Sequence, residues 1–250
     1  MPTGALATIA DVIAGMEKIE KDLPPGDGVA CFNDMYLQVT QLVSRELAAG
    51  TFHDQAFMEQ LDVNFAALFF AAIDASDAGA QINHAWKPLF AARGNKTVWP
   101  IQFALAGMDA HIGHDLPLAV IKTCLDRGTT PGTAPVHEDY EKVNRLLYQI
   151  EASVRERLAP DPDVQGIEPL LHILSGVSIS AARDVAWANT ELLWHLRDTP
   201  LYGQTLDSLT HIVATAGHML VTPVVEHRRR EHPESPRLPS SADVLTHSST

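Results

Sequence analysis

The sequence predicts an all-α protein, a single-domain bundle of about eight helices followed by a mobile C-terminal tail. Apolar residues recur every three or four positions along most of the chain, which is the spacing of amphipathic helices. No segment shows the alternating pattern of a β-strand or hairpin. With 46% hydrophobic and 20% charged residues in a chain of 250, there is enough apolar material to build a core.

The first three helices follow from the positions of their apolar residues. Residues 5–20 place aliphatic side chains at helical spacing, and the proline- and glycine-rich turn at 21–28 ends this helix. Residues 30–49 carry a second apolar face. A third helix begins after Gly50-Thr51 and carries the aromatic and aliphatic residues between Phe57 and Ile73.

The next two predicted helices contain prolines. Residues 80–92 predict a short helix that breaks near Pro88. Residues 101–125 form a markedly apolar helix. Pro117 is expected to kink or end it, because proline lacks the backbone N–H. The loop 127–135 then separates this helix from the rest of the chain.

Three further helices complete a predicted helical domain over residues 1–227. They are expected at residues 137–158, 167–197 and 204–227. Residues 228–250 contain three prolines, five serines and no apolar periodicity. They therefore predict a disordered tail.

Charge and composition exclude several classes of partner. The chain has 18 Lys and Arg against 31 Asp and Glu, a net charge of −13, which argues against nucleic acid and anionic membrane surfaces. Two cysteines make no disulfide framework. The N-terminus lacks the basic region of a signal peptide, and the apolar run Phe65–Ile73 is too short to span a bilayer. We expect a cytoplasmic protein without a membrane partner.

Four ionisable side chains interrupt the apolar helix at residues 101–125, and they are the first candidate site. They are Asp109, His111, His114 and Asp115. His111 and Asp115 are one helical turn apart, so the carboxylate can fix the tautomer of the imidazole and leave its other nitrogen as acid or base. The same spacing also fits two ligands of one metal ion. A self-satisfied His–Asp pair that ties a kinked helix together is the structural alternative.

A second His–carboxylate pair, His137 and Glu141, follows the long loop. Acidic residues at this point also stabilise a helix N-terminus through the helix dipole, and we prefer that interpretation. Asn144, deeper in the same helix, is expected to face the core.

Two further segments contain candidate binding residues. Arg183 precedes Trp187 by one turn, and an arginine on an apolar face needs a carboxylate or an anionic ligand. Trp187 fits a core residue as well as a binding residue. Asn33, Tyr36 and Thr40 form a polar stripe that fits either a pocket lining or a solvent-facing surface.

Over residues 5–225 the chain resembles an uncharacterised bacterial family known only as a domain of unknown function. The resemblance rests on four stretches: Asp27-Gly28 to Val39-Thr40, Ala110-His111-Ile112 with Asp115-Leu116, Tyr140 to Asn144, and Arg183 to Trp187. The family motif reads Asn-Ala-His-Ile-Asn-x-Asp-Leu. Asp109 and Gly113 stand where the two asparagines are expected, which implies a specialised relative with altered chemistry, as in secondary metabolism.

The chain is also similar, more weakly, to the zinc-dependent phospholipase C and single-strand nuclease group. These all-helical proteins use His-x-x-x-Asp and His-x-x-x-Glu pairs, which His111/Asp115 and His137/Glu141 match in type and order. Ile121 stands where an intervening histidine ligand is expected, and the N-terminal tryptophan ligand is absent.

These patterns predict an enzyme that acts on a small, largely apolar organic metabolite by cyclisation, isomerisation or dehydration. The predicted catalytic residues are His111, Asp115, His114 and Asp109. The predicted substrate-binding residues are Asn33, Tyr36, Arg183, Trp187 and Asn144. No cofactor or metal is expected. The sequence leaves open whether the chain forms a homodimer. The alternatives are a hydrolase in which the same residues bind zinc or another divalent metal, and a non-catalytic helical binding protein.

Overall fold

The computed structural model describes residues 6–158 and 178–224, which contain helices and no strand. A π-helical turn, His111–Asp115, joins α5 to α6, so the described residues form eight helical rods and confirm the all-α prediction. Residues 167–177 of the predicted seventh helix and the tail 228–250 lie outside the described residues. The α-helices are α1 (Ile9–Asp22), α2 (Gly28–Ala48), α3 (Gln55–Asp77), α4 (Lys87–Ala92), α5 (Pro100–Ala110), α6 (Leu116–Asp126), α7 (Val136–Leu158), α8 (Ile179–Leu196) and α9 (Leu201–Leu220).

The first and last helices differ in extent from the prediction. α1 begins at Ile9 rather than at residue 5 because Thr8 caps it: the Thr8 hydroxyl accepts from the Asp11 N–H, and the Asp11 carboxylate accepts from the Thr8 N–H. α9 ends at Leu220 rather than at residue 227. Pro223 accounts for this, because a proline disfavours helical backbone in the residue before it.

Both prolines lie in the first turn of a helix rather than in its interior, and the α-helix predicted over residues 101–125 is interrupted directly before Pro117. Pro88 lies in the first turn of α4, where a missing N–H has no consequence, so it starts the helix. Pro117 lies in the first turn of α6, directly after the π-helical turn. In that turn the Leu116 N–H donates to the His111 carbonyl, five residues back. This wide π-helical turn comes directly before Pro117, and α6 then continues without a break to Asp126.

The π-helical turn lies where two apolar clusters meet. α5 packs against α2 and α9, and its apolar residues join the cluster formed with α1, α2, α3 and α4. α6 packs against α3 and α8, and it joins a second cluster with α7 and α8. The five residues 111–115 are therefore surrounded by protein on most sides, and four of them are buried.

One described helix, α3, is long and apolar enough to cross a membrane by length and composition, with a mean hydropathy of 1.4 over the relevant window. Half of that window is buried inside the protein. The buried half includes Phe69 and Phe70 of the first cluster, a pattern that core helices share.

Candidate functional site

The carboxylate of Asp115 is the centre of the candidate site. It is buried and accepts three hydrogen bonds: from Nδ1 of His111 at 3.1 Å, from Nδ1 of His114 at 2.7 Å, and from Nε1 of Trp86 at 2.9 Å. Burial by itself raises the pKa of Asp115, but the hydrogen bonds from the two histidines outweigh burial and lower it. Asp115 is therefore an ionised carboxylate held on both oxygens.

The π-helical turn makes this arrangement. On an α-helix, neighbouring side chains such as those of His114 and Asp115 point away from each other. In the widened turn both histidines approach the same carboxylate, one at each oxygen. The sequence predicted the contact between His111 and Asp115, whereas the direct contact of His114 with its neighbour depends on the π-helical geometry.

The imidazole of His111 lies within a cage of aromatic rings. It stacks on Phe65 with ring centroids 3.5 Å apart and 5° between the planes, and its centroid lies 4.5 Å from that of Tyr36. Burial lowers the pKa of His111, against a smaller opposing effect of Asp115. The neutral ring donates its Nδ1 proton to Asp115. Its Nε2 then carries a lone pair, and this buried atom has no hydrogen-bond partner among the described residues.

A small cavity of about 50 Å³ borders this ring, and His111, Tyr36 and Arg183 line it together with apolar side chains. The Tyr36 hydroxyl is buried and interacts with the neighbouring Thr40 side chain, although the two do not meet hydrogen-bond geometry. Burial raises the pKa of Tyr36 well above its usual value, so the phenol keeps its proton. The structure thus places an unused acceptor, a protonated phenol and a cationic side chain around one space.

Arg183 is buried between α7 and α8. Its Nε donates to the amide oxygen of Asn144, and its guanidinium lies over the Tyr140 ring at 4.2 Å from the centroid. The Asn144 amide in turn donates to Glu141 and Asp184, each at 3.2 Å. Burial lowers the pKa of Arg183, although nearby acidic groups oppose this effect. Asn144 thus positions Arg183, rather than facing the cavity itself.

Asp109 faces a different space. It lines a cavity of about 460 Å³ between the π-helical turn, α8 and α9. Its Oδ2 is buried and has no described hydrogen-bond partner, and burial raises its pKa to about 7. The sequence suggested that Asp109 shares a site with His111, His114 and Asp115, but Asp109 lines a different cavity from His111.

Other predicted residues have structural contacts. Asn33 donates from its amide to the Met16 carbonyl at 3.0 Å and ties α2 to α1. Trp187 stacks on His137, with ring centroids 4.3 Å apart, within the second apolar cluster. Neither side chain lines the two cavities described above. Thr40 is fully buried together with Asn33 and Tyr36, so the polar stripe of α2 is not a solvent-facing surface.

The two predicted His–carboxylate pairs lie in different surroundings. His137 and Glu141 are half-exposed and 3.4 Å apart, whereas His111 and Asp115 are buried. Within the parts of the chain that the structure describes, no group of three or more His, Cys, Asp or Glu side chains is placed to hold a metal ion. Both histidines at Asp115 turn Nδ1 towards the carboxylate, which is a hydrogen-bonding arrangement.

Sequence reasoning did not find three residues at the site. Trp86 donates to Asp115, and Phe65 stacks on His111, but both occur in ordinary apolar patterns. Asp62 is buried in α3 and its charge raises the pKa of Tyr36; its Oδ2 has no hydrogen-bond partner among the described residues, and burial raises the pKa of Asp62 to about 7. The signal that could have identified Asp62 is its position between the apolar residues Leu61 and Val63.

A family model described as a family of unknown function, DUF5995, matches residues 9–223 of the chain. The match confirms the predicted resemblance to a domain of unknown function. No curated protein and no solved structure matches the chain. The likeness to zinc-dependent phospholipase C stays a prediction.

Proposed function

The chain belongs to the DUF5995 family, and we propose that it is an enzyme that moves a proton on a small, largely apolar metabolite, with His111 as the general base. The observation that carries this proposal is His111, which lines a cavity and whose buried Nε2 has no hydrogen-bond partner among the described residues. An unmade hydrogen bond of a buried polar atom costs about 1–3 kcal/mol. A role in binding or chemistry accounts for a lone pair kept in this state.

Asp115 would prepare His111 for this reaction. It accepts the Nδ1 proton, which fixes the tautomer and leaves the Nε2 lone pair free. When Nε2 takes a proton from the substrate, the carboxylate stabilises the imidazolium that forms. Trp86 and His114 position the carboxylate through their own hydrogen bonds.

Tyr36 and Arg183 would stabilise the negative charge left on the substrate. The Tyr36 hydroxyl has a proton to donate and lines the same cavity as His111. Arg183 adds a fixed positive charge in a site where low polarity strengthens electrostatic interactions. A base, a hydrogen-bond donor and a cation are sufficient to abstract a proton next to a carbonyl group. An isomerisation, a cyclisation or a dehydration can begin with that step.

The substrate would enter from the larger cavity. A space of about 50 Å³ holds roughly three water molecules, whereas the cavity of about 460 Å³ is of the size that binds small molecules. Met108, Ile112 and Ile179 line both cavities. Methionine is unbranched and flexible, so rotation of Met108 would join the two spaces.

Hydrogen–deuterium exchange tests this proposal without knowledge of the product. The protein is incubated in deuterium oxide with a metabolite extract, and deuterium uptake at carbon is followed by mass spectrometry. We expect uptake into a few apolar carbonyl compounds, and a decrease of about 10²–10⁴-fold in His111→Gln. The matched control is His195→Gln, because the exposed His195 bonds only to its own helix through the Glu191 carbonyl.

Two outcomes contradict the proposal. Equal uptake with wild type and His111→Gln would exclude His111 as the base. A compound that co-purifies at the His111 cavity but shows no uptake would favour the non-catalytic binding protein.

A further inference from the structure

The larger cavity has one charged group in an apolar lining. Among the described residues, Asp109 is the only charged one that lines the cavity, and the two uncharged polar ones are Ser178 and Asn189. The other described lining residues are apolar or glycine, and none of them is Lys, Arg or His. Val185 and Ile212 lie at the open side of the cavity and are 60% and 67% exposed. The cavity is therefore an apolar space with a single acid on its inner wall.

Two glycines lie beside the Asp109 carboxylate. A Cβ at Gly113 would lie 3.9 Å from Oδ1 and 3.0 Å from Val213, and a Cβ at Gly217 would lie 3.7 Å from Oδ2 and 3.1 Å from Pro88. No described residue donates a hydrogen bond to the buried Oδ2. Burial raises the pKa of Asp109, which is the expected effect when a carboxylate has no donor or cation near it. Asp109 as a whole is only partly buried and lines the cavity, so a donor within the cavity can approach its carboxylate.

We propose that this cavity binds a molecule with an extended apolar body and one protonated amine, and that the amine pairs with Asp109. This inference rests on the proposed function only in identifying that molecule as the substrate.

The charge of the site selects the amine over other polar groups. A carboxylate or phosphate would find no cationic partner among the described lining residues and would meet the Asp109 charge. A hydroxyl can donate to Asp109 but leaves the carboxylate without a countercharge. A protonated amine supplies both a hydrogen-bond donor and a countercharge. Hydrogen bonds between charged groups are stronger than those between neutral groups. The net charge of −13 also attracts cations to the protein.

The first experiment measures binding of three probes that share one alkyl chain. These are n-decylamine, n-decanol and decanoate, followed by calorimetry; the alcohol is added below its solubility limit and the two ionic probes below their micellar concentrations. We expect decylamine to bind at least about tenfold more tightly than decanol, and decanoate to bind most weakly. Equal affinity for decylamine and decanoate, or no binding of any probe, would overturn the proposal.

The second experiment changes the acid. Asp109→Asn should weaken decylamine binding by at least about tenfold and leave decanol binding within about threefold. The matched control is Asp198→Asn, which removes the same charge from the α8–α9 connection, where Asp198 is 83% exposed. An unchanged preference for decylamine in Asp109→Asn would contradict a role for Asp109.

A further variant tests the site without removing the acid. Gly113→Ser places a hydroxyl beside Oδ1, where it can donate in place of the ligand, at the expense of a 3.0 Å approach of the new Cβ to Val213. We expect weaker decylamine binding than in wild type, and undiminished binding would contradict the proposal. His111→Gln should retain decylamine binding, so loss of exchange activity and loss of the amine site are separable results.

Discussion

Replacing Asp115 by asparagine tests the site with the smallest change of shape. Oδ2 accepts from both Trp86 and His111, whereas Oδ1 accepts from His114 alone. The Trp86 N–H cannot become an acceptor. We therefore expect the amide oxygen to take the Oδ2 position and the amide NH₂ to face His114. His114 must then present a lone pair on Nδ1 and move its proton to Nε2.

The structure sets the magnitude of this change. Two hydrogen bonds remain but lose their charge assistance, which is worth about 1 kcal/mol each. Removal of a buried charge offsets part of that loss. We expect a net destabilisation of no more than about 2 kcal/mol, or a decrease in Tm of roughly 4–8 °C. Asp115→Leu leaves three buried donors unpaired and should cost about 3–6 kcal/mol.

The effect on His111 should be larger than the effect on stability. Asp115 raises the pKa of His111 through its hydrogen bond and its charge, in opposition to burial. Without that charge His111 is a weaker base, and exchange activity should fall by about 10²–10⁴-fold. Nitrogen-15 NMR of the imidazoles measures both the tautomer of His114 and the pKa of His111. We expect His114 to change tautomer and the pKa of His111 to decrease further. Unchanged tautomers, Tm and exchange activity in Asp115→Asn would refute this reasoning.

Three other measurements follow from the buried polar groups. Asp109→Asn should stabilise the protein by roughly 2–4 kcal/mol above pH 7. Because the pKa of Asp109 is raised from 3.8 to about 7, that gain should shrink as the pH falls through this range; a gain independent of pH would contradict it. Trp86→Phe keeps an aromatic ring but removes the donor to Asp115, and chemical unfolding should show a loss of about 2–4 kcal/mol. Elemental analysis of protein purified without chelator should find no stoichiometric metal, whereas one tightly bound equivalent lost in His111→Ala would favour the metal hydrolase.

The sequence was sufficient to predict the helices because each has an apolar face of the right period. It was insufficient at prolines, since Pro88 and Pro117 break a helix only when they fall outside its first turn. That position depends on where the helix begins, which for α6 is set by the π-helical turn. No residue pattern in 111–115 distinguishes a π-helical turn from an α-helical one.

The candidate site was predictable where its residues are close in sequence. His111 and Asp115 could be paired from their spacing alone, and an ionisable pair in an apolar helix is uncommon enough to be noticed. Trp86 lies 29 residues from Asp115, and its contact is a product of tertiary packing. The same limit applies to Asp109: its sequence position suggested a shared site, but it lines the larger cavity instead.

The π-helical turn also acts as a phase shift within one long helix. An α-helix advances about 100° per residue, so one additional residue turns the apolar face of α6 by that angle relative to α5. Because of this rotation, the apolar face of α5 packs in the first cluster and the apolar face of α6 packs in the second. Deleting one residue between 111 and 115 would bring the two halves back into phase and direct one apolar face away from its cluster. The length of this segment is therefore constrained by packing as well as by the histidines within it.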